Sequence, residues 1–338
     1  MMMVAVLGID LAKRVFHLHG VDTHGRAVVS KRVGRAKLAA AVVQLAPRLV
    51  AMEACCGAHY WGRRFRDLGL EVRLIHPKFV RPYVKSAKND ARDAEAICEA
   101  TLRPHMRFVP IKSPEQLDIQ ALHRVREQLV GWRTALINQT RGLLAEHGIV
   151  LPQGAWRLRP EVATALDDPA SELTALAAEL FRGLLDQLRE LEHRIGTLDR
   201  RIVQLCRASE ACRRLATLPG VGPIIATALV DSVGDGRQFR CGRDLAAWIG
   251  LVPRQHSSGG RPKLLGIGAG GNRYLRKQLI QGARSVLPHL GARDDRRSRW
   301  LRGVLDRRGP NRAVVALANK TARIAWVLLA RGEDYRAA

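Results

Sequence analysis

The stretch that decides the fold of the first third of the chain is VAVLGIDLAKRVFHLHGVD, residues 4–22. Two runs of β-branched and other apolar residues, VAVLGID and VFHLHGVD, predict two strands joined by a turn at residues 12–14. The turn signal THGR comes next, and AVVSKRV after it predicts a third strand. Three antiparallel strands are therefore expected.

Helices and strands alternate after these three strands. KLAAAVVQLA (37–46) and YWGRRFRDLG (60–69) predict helices, and RLVAME (48–53) and EVRLIHP (71–77) predict short buried strands. A further helix begins near Asp90. The order βββαβαβα predicts an α/β domain over residues 1–111, in which a mixed sheet packs against helices.

A helical region follows, over residues 112–210. SPEQ (113–116) predicts a helix start with serine as N-cap, proline at the first position and glutamine completing a capping box. A second apolar seam, over residues 177–205, alternates steps of four and three, which is typical of a coiled coil. Both a hairpin packed on itself and an arm that joins two chains fit this pattern. An earlier apolar seam, which follows the helix start at SPEQ, contains Leu122, Val125, Leu129, Trp132, Leu136 and Leu143.

The last region, residues 211–338, is rich in glycine and predicted to be mainly α-helical. LATLPGVGPIIATALV (215–230) resembles a helix-hairpin-helix element, whose glycine turn at Gly220 and Gly222 would present backbone N–H groups to a phosphate. A plain helical turn is the alternative interpretation. GIGAGG (266–271) matches GxGxxG, but it does not follow a buried strand, so a dinucleotide site is rejected.

The charge of the chain indicates its partner. The 338 residues include 56 Lys and Arg against 31 Asp and Glu, a formal net charge of +25. Such a surface attracts polyanions, so nucleic acid is the leading partner and an anionic membrane the competing one. No apolar run approaches the roughly 20 residues of a membrane span, and no signal peptide is recognised. Six cysteines without CxxC spacing favour reduced thiols in a cytoplasmic, nucleoid-associated protein.

Four acidic residues stand out against this basic background. Two end predicted strands, and two lie one turn apart on the helix after the fifth strand. Four converging carboxylates repel one another unless cations join them, and oxygen-only ligands suit Mg²⁺ or Mn²⁺. Two such ions clamp the attacking and leaving oxygens of a phosphodiester displacement. The predicted metal ligands are Asp10, Glu53, Asp90 and Asp93.

These residues carry a resemblance to a known family. GIDLAK, AMEACCGAHYW and KNDARDAEAI resemble the DEDD motif of a RuvC-like, RNase H-fold domain. LPGVGPIIATALVDSVGD, DLAAWIGLVPRQHSSGG, GNRYLRKQLIQGARS and RAVVALANKTARIAWVLL resemble the C-terminal domain of DEDD-type insertion-sequence transposases related to the Piv DNA invertase. The sequence departs from the family pattern at Cys55 and Cys56, where small or hydroxylated residues are usual.

The resemblance has implications for chemistry and partners. It implies a serine before two glycines that acts as nucleophile on DNA, and a guide RNA, encoded in the element's end, that pairs with target and donor DNA. It also implies a homo-oligomer, a dimer or tetramer. Membrane association is not expected.

The string QHSSGGRPK (255–263) contains two candidate serines. Ser258 directly precedes the glycines and is the predicted nucleophile, with Ser257 in reserve. Arg254, Arg261 and Lys263 are the expected phosphate-binding residues, because they could neutralise a phosphate approached by the glycine turn. From the residues alone, a flexible Ser/Gly loop is the alternative interpretation.

Three function classes remain open. The favoured one is a transposase or site-specific recombinase that conserves bond energy in a phosphoserine intermediate, in agreement with the lack of a GxxxxGK[ST] loop. The alternative is a metal-dependent, structure-specific nuclease of the Holliday-junction resolvase type, in which water is the nucleophile. A non-catalytic nucleic-acid-binding protein is the third. A covalent protein–DNA adduct distinguishes the first class from the others.

Overall fold

The structure is a computed structural model that describes residues 3–84, 90–268, 270–291 and 294–336, without the side chain of Asp90. The chain divides into two compact units, Met1–Glu115 and Gln116–Ala338. The second unit holds both regions that the sequence analysis separated at residue 210.

The first unit is a mixed α/β layer, as predicted. Three strands come first and helices then alternate with strands; a four-residue helix at Pro77–Val80 and a two-residue strand at Phe108–Val109 were not predicted. The strands are β1 (Val6–Asp10), β2 (Val15–Val21), β3 (Ala27–Gly34), β4 (Leu49–Glu53), β5 (Glu71–Ile75) and β6 (Phe108–Val109), and the helices are α1 (Leu38–Leu45), α2 (Ala58–Asp67), α3 (Pro77–Val80) and α4 (Asp90–Thr101).

The six strands form one sheet in the order β3-β2-β1-β4-β5-β6. β1 pairs with β2 antiparallel and with β4 parallel, and β4 pairs with β5 parallel. One sheet face buries Ile9 and Met52 in the same core cluster as Phe65 of α2. The other face buries Ala51 in a cluster with Ile97 of α4. This arrangement is compatible with an RNase H-like fold.

The second unit is mainly helical, as predicted, and contains one two-stranded hairpin. Its first helix begins two residues before the boundary between the units. Its elements are α5 (Pro114–Glu146), α6 (Ala155–Asp167), α7 (Ala175–Ala208), α8 (Glu210–Ala216), α9 (Pro223–Val233), α10 (Gly242–Ile249), β7 (Pro253–Ser258), β8 (Arg261–Ile267), α11 (Arg273–Val286), α12 (Arg296–Arg308) and α13 (Pro310–Arg331).

Helices α5 and α7 run antiparallel to each other within the chain. Arg126, early in α5, forms an ion pair with Asp199, late in α7. At the other end His147, just after α5, stacks edge-on against Phe181 at 6.1 Å. Buried residues of both helices share one apolar cluster with α6. The buried part of the seam over residues 177–205 therefore fits the intrachain hairpin. An arm that joins two chains stays a prediction.

The seam predicted for α5 is only half correct. Val125, Trp132 and Leu143 are 45%, 51% and 45% exposed. The buried stripe passes instead through Thr140, whose hydroxyl donates to the carbonyl of Leu136 at 2.8 Å. Because that internal hydrogen bond satisfies the hydroxyl, a polar residue can occupy a core position that an apolar pattern skips.

Helix α13 lies at the centre of the second unit, where it packs against α8, α10, α11 and α12. It spans 22 residues and has a window of mean hydropathy 1.4, so by length and composition it could cross a membrane. The sequence analysis looked for an uninterrupted apolar run, and Lys320 and Arg323 interrupt this one without lowering its average below that of a candidate span. In the structure 44% of that window is buried inside the protein.

A buried histidine joins three helices of this unit. The hydroxyl of Thr227 (α9) donates to the carbonyl of Pro223, so it accepts from His123 Nε2 (α5) at 3.0 Å. The other ring nitrogen then accepts from the hydroxyl of Tyr274 (α11) at 2.9 Å. Burial, with a smaller contribution from the charge of Arg126, lowers the pKa of His123 to about 4, so the ring is neutral at pH 7.

Candidate active-site residues

The first two predicted acids lie at neighbouring strand ends. The parallel register pairs Ile9 of β1 with Met52 of β4, so Asp10 and Glu53 are the next residues along each strand. Adjacent strands are about 4.8 Å apart, and both carboxylates leave the same face of the sheet. Both residues are half-buried. The register therefore places the two acids side by side at the carboxyl ends of two central strands, as the predicted pairing requires.

The pKa of the Cys55 thiol indicates that both acids lie close to it. Burial, and then the charges of Glu53 and Asp10, raise the pKa of Cys55 to about 11. Both carboxylates thus act on one thiol just beyond the end of β4. The sequence singled out Cys55 only as a departure from a family pattern; its position beside the acids was not predicted.

Helix α4 brings its first turn towards the same edge. Cys98 near its end accepts a hydrogen bond from the backbone N–H of Gly8 at 3.1 Å, and the carbonyl of Ala94 lies against Gly8. From Ala94 back to Asp90 is about 6 Å of helix, and from Gly8 on to Asp10 is about 6.6 Å of strand. The start of α4 therefore lies near the end of β1.

The other two acids belong to this first turn. Asp93 is half-buried, and Asp90 begins the helix, although its side chain lies outside the described residues. Among the described residues, no three His, Cys, Asp or Glu side chains come together as a metal-binding group. The four-carboxylate site stays a prediction. Its donor set of oxygens alone fits Mg²⁺ or Mn²⁺.

Two histidines share the sheet face of the acids and were missed by the sequence analysis. The β1–β2 register pairs Asp10 with His17 and Gly8 with His19. Burial lowers the pKa of His19, and the charge of Glu95 on α4 opposes this with a smaller effect. Glu95 itself is half-buried. Glu95 is therefore a partly buried charge beside His19. The alternation in VFHLHGV predicts that both histidines lie on one face, but choosing that face requires the strand register.

The contact between Gly8 and α4 can be tested by adding a methyl group. A Cβ at Gly8 would collide with the Ala94 carbonyl and lie 2.8 Å from Cys98 Sγ. We expect Gly8→Ala to lower the free energy of unfolding by about 1–3 kcal/mol in urea titrations. Gly34→Ala is the matched control, because a Cβ there meets nothing within 4 Å. Equal stability of the two variants would contradict this packing.

The two candidate serines lie at the tip of the β7–β8 hairpin. Gly259 and Gly260 form its two-residue turn, with φ of 55° and 74°. Two successive positive φ values are typical of a type I′ turn, which glycine adopts without strain. The region therefore forms a β-hairpin, with strands on both sides of the glycine turn.

The hairpin register separates the two serines. Ser258 pairs with Arg261, and His256 pairs with Lys263. Residues that pair directly, and residues two apart on one strand, share a face of a hairpin. Ser258 consequently shares its face with two cations and a histidine, and all four residues are exposed.

Ser257 lies on the opposite face. Its register partner is Pro262, and its hydroxyl accepts a hydrogen bond from Gln255 Nε2 at 2.8 Å. No cation pairs with this serine in the register. The environment of Ser258 is thus the more favourable one for an anionic phosphate.

The predicted phosphate contacts at the glycines have different structural settings. Gly220, with φ of 85°, lies so close to α11 that a Cβ would lie 2.5 Å from the Gly282 carbonyl oxygen. This close packing alone accounts for glycine there. Gly222 caps the start of α9 and is exposed, with open space around its Cβ position. The stem of Arg254 lies 3.1 Å from the Cβ position of Gly268, at the base of the hairpin. All three remain predicted contacts.

Family comparisons cover both units. The family described as "Transposase IS116/IS110/IS902 family" matches residues 212–299, and a family described as "Transposase", DEDD_Tnp_IS110, matches residues 7–149. These two matches include the strand ends with the acids and the serine hairpin.

Individual relatives agree with these matches. A "Probable family 20 transposase" of Pseudomonas aeruginosa is 51% identical over 331 residues, 98% of each chain. The "Transposase for insertion sequence element IS1111A" of Coxiella burnetii is 46% identical over 98% of this chain and 92% of its own. A "Pilin gene-inverting protein" of Moraxella bovis is 26% identical over 63% of this chain and 59% of its own. The chain belongs to the IS110 family of insertion-sequence transposases.

Proposed function

We propose that this transposase cuts and rejoins DNA with two sets of residues, a carboxylate group and a serine. Asp10, Glu53, Asp90 and Asp93 hold Mg²⁺ or Mn²⁺, and Ser258 is the nucleophile. The observation that carries the proposal is the register that puts Asp10 beside Glu53 at the strand ends approached by the first turn of α4. Divalent ions bound there would offset the charge of the scissile phosphate.

The serine chemistry conserves the energy of the phosphodiester bond. The oxygen of Ser258 attacks phosphorus, its proton passes to solvent, and the bond from phosphorus to one deoxyribose oxygen breaks as that oxygen gains a proton. A strand hydroxyl then attacks the phosphoserine, rejoins DNA and restores the serine. Arg261 and Lys263, on the face of Ser258, support binding of the anionic phosphate.

The guide RNA and the oligomer are further parts of the proposal. An RNA that pairs with donor and target DNA would supply sequence recognition, and the net charge of +25 supports binding of both nucleic acids. Two exchanging duplexes require several strand cleavages, which favours a dimer or tetramer. The seam over residues 177–205 is the predicted surface for this contact. The name of the Moraxella relative supports recombination as the reaction class.

The test is to trap a covalent adduct. The protein is incubated with donor and target DNA, guide RNA and Mg²⁺, denatured, and treated with nuclease, and the peptides are weighed by mass spectrometry. A nucleotide-bearing peptide that contains residues 255–261 is the expected result. Cleaved DNA without any adduct would instead assign the reaction to water and favour the resolvase-type alternative.

A further inference from the structure

An open groove runs beside α13 in the second unit. Its volume is about 1230 Å³, which exceeds that of typical small-molecule pockets, about 300–1,000 Å³. One wall is the end of β8, with Leu265 and Ile267, and the other wall includes Trp300 of α12. Small residues such as Ala316 of α13 line it between these walls. The groove also accounts for the incomplete burial of α13, one face of which is left uncovered.

The charge of the groove has one sign. Four cations line it: Arg243 of α10 and, at helical spacing along α13, Arg312, Lys320 and Arg323. None of the described residues in the lining is acidic. Such a groove concentrates anions, because low-dielectric walls focus the field of like charges.

One of these cations is held in place by an aromatic ring. The ammonium of Lys320 lies 4.3 Å from the centroid of the Trp300 ring, within the range of a cation–π contact. Burial, followed by the charges of Arg297, Arg296 and Arg323, lowers the pKa of Lys320, against a smaller opposite effect of Asp295. A bound anion would relieve this crowding of positive charge.

We propose that this groove binds the sugar–phosphate backbone of a DNA strand, with Arg312, Lys320 and Arg323 as phosphate contacts. Trp300 is a positioning residue, because it fixes Lys320 before the strand arrives. The proposal adds a binding surface to the proposed function, and its choice of DNA as occupant rests on the proposed cutting of DNA at the hairpin tip.

The hairpin makes DNA the fitting occupant. β8 extends from the groove wall at Leu265 to Arg261, the partner of Ser258, which is about 13 Å of strand. At about 3.4 Å per nucleotide, a DNA strand that reaches the hairpin tip would enter the groove about four nucleotides away. The groove would thus hold DNA next to the place of cutting.

The test measures salt dependence. A triple variant, Arg312→Gln, Lys320→Gln and Arg323→Gln, is titrated with a fluorescein-labelled 30-base-pair DNA duplex between 50 and 200 mM salt. Removing three phosphate contacts should lower the slope of log K against log salt by about 2.7, so the wild type loses about 40-fold more affinity than the variant. Arg331→Gln is the control, since it lies on α13 outside the groove lining and is 63% exposed.

Other outcomes would overturn the proposal. One is a triple variant whose slope with the DNA duplex equals that of the wild type. The other is a triple variant that loses affinity only for an RNA of the same sequence. Thermal unfolding of each variant checks the fold. Should the triple variant unfold, the single variant Arg312→Gln, at an exposed residue, is measured in its place and should lower the slope by about 0.9. An unchanged slope for this single variant would also contradict the proposal. The adduct assay is scored separately, so a failure of the groove and a failure of the serine mechanism are distinguishable.

Discussion

Replacing Asp10 with asparagine should lower DNA recombination on the order of 10³-fold, about 4 kcal/mol of barrier. The amide keeps the shape of the side chain and removes its charge. Asp10 ends β1 beside the end of β4 and is half-buried, so in the proposed function it serves the metal site and not the core. Fold and DNA affinity should therefore stay those of the wild type, and binding of Mn²⁺, followed by calorimetry, should weaken.

The matched control is Asp67→Asn. Asp67 is exposed at the end of α2, in the same unit, and is not one of the predicted metal ligands. Its variant should recombine DNA and bind Mn²⁺ as the wild type does. If Asp10→Asn keeps full recombination in Mg²⁺, or if both variants lose it equally, the metal site is misassigned.

The sheet and its acids could be predicted because their signals are local. Alternating β-branched residues predict strands of period two, and the turn signal THGR (23–26) fixes the break between two of them. A polar residue that ends an apolar strand lies at the end of that strand in the sheet, whatever the register. Asp10 and Glu53 could therefore be paired before any contact was known.

Tertiary contacts decided the features that were missed. Which face of β2 carries His17 depends on its pairing with β1, and a shift of one residue would reverse it. Thr140 enters the core only because its hydroxyl finds a carbonyl one turn earlier. The groove beside α13 collects residues from α10, α12, α13 and β8, so no local pattern contains it.

The register adds a structural reason for Ser258, which the sequence analysis preferred only for its place directly before the glycines. Both precede the glycines of QHSSGGRPK, and composition gives both the same basic neighbours. The two-residue turn fixes the pairing, so Ser258 shares a face with Arg261 and Lys263 and Ser257 does not. A hydroxyl is a weak nucleophile at neutral pH and needs a phosphate whose charge is already offset. The two serines are therefore a matched pair of test sites.

Ser258→Ala should bind DNA and guide RNA normally and form no covalent adduct, because it lacks the oxygen that attacks phosphorus. Ser257→Ala should form the adduct within about twofold of the wild type, since exposed substitutions change free energies by about 0.5 kcal/mol or less. Peptide mass after nuclease digestion locates the nucleotide. An adduct on Ser257 would preserve the mechanism and reverse the assignment of the two faces. Normal cleavage by Ser258→Ala would make water the nucleophile, and the serine mechanism would be abandoned.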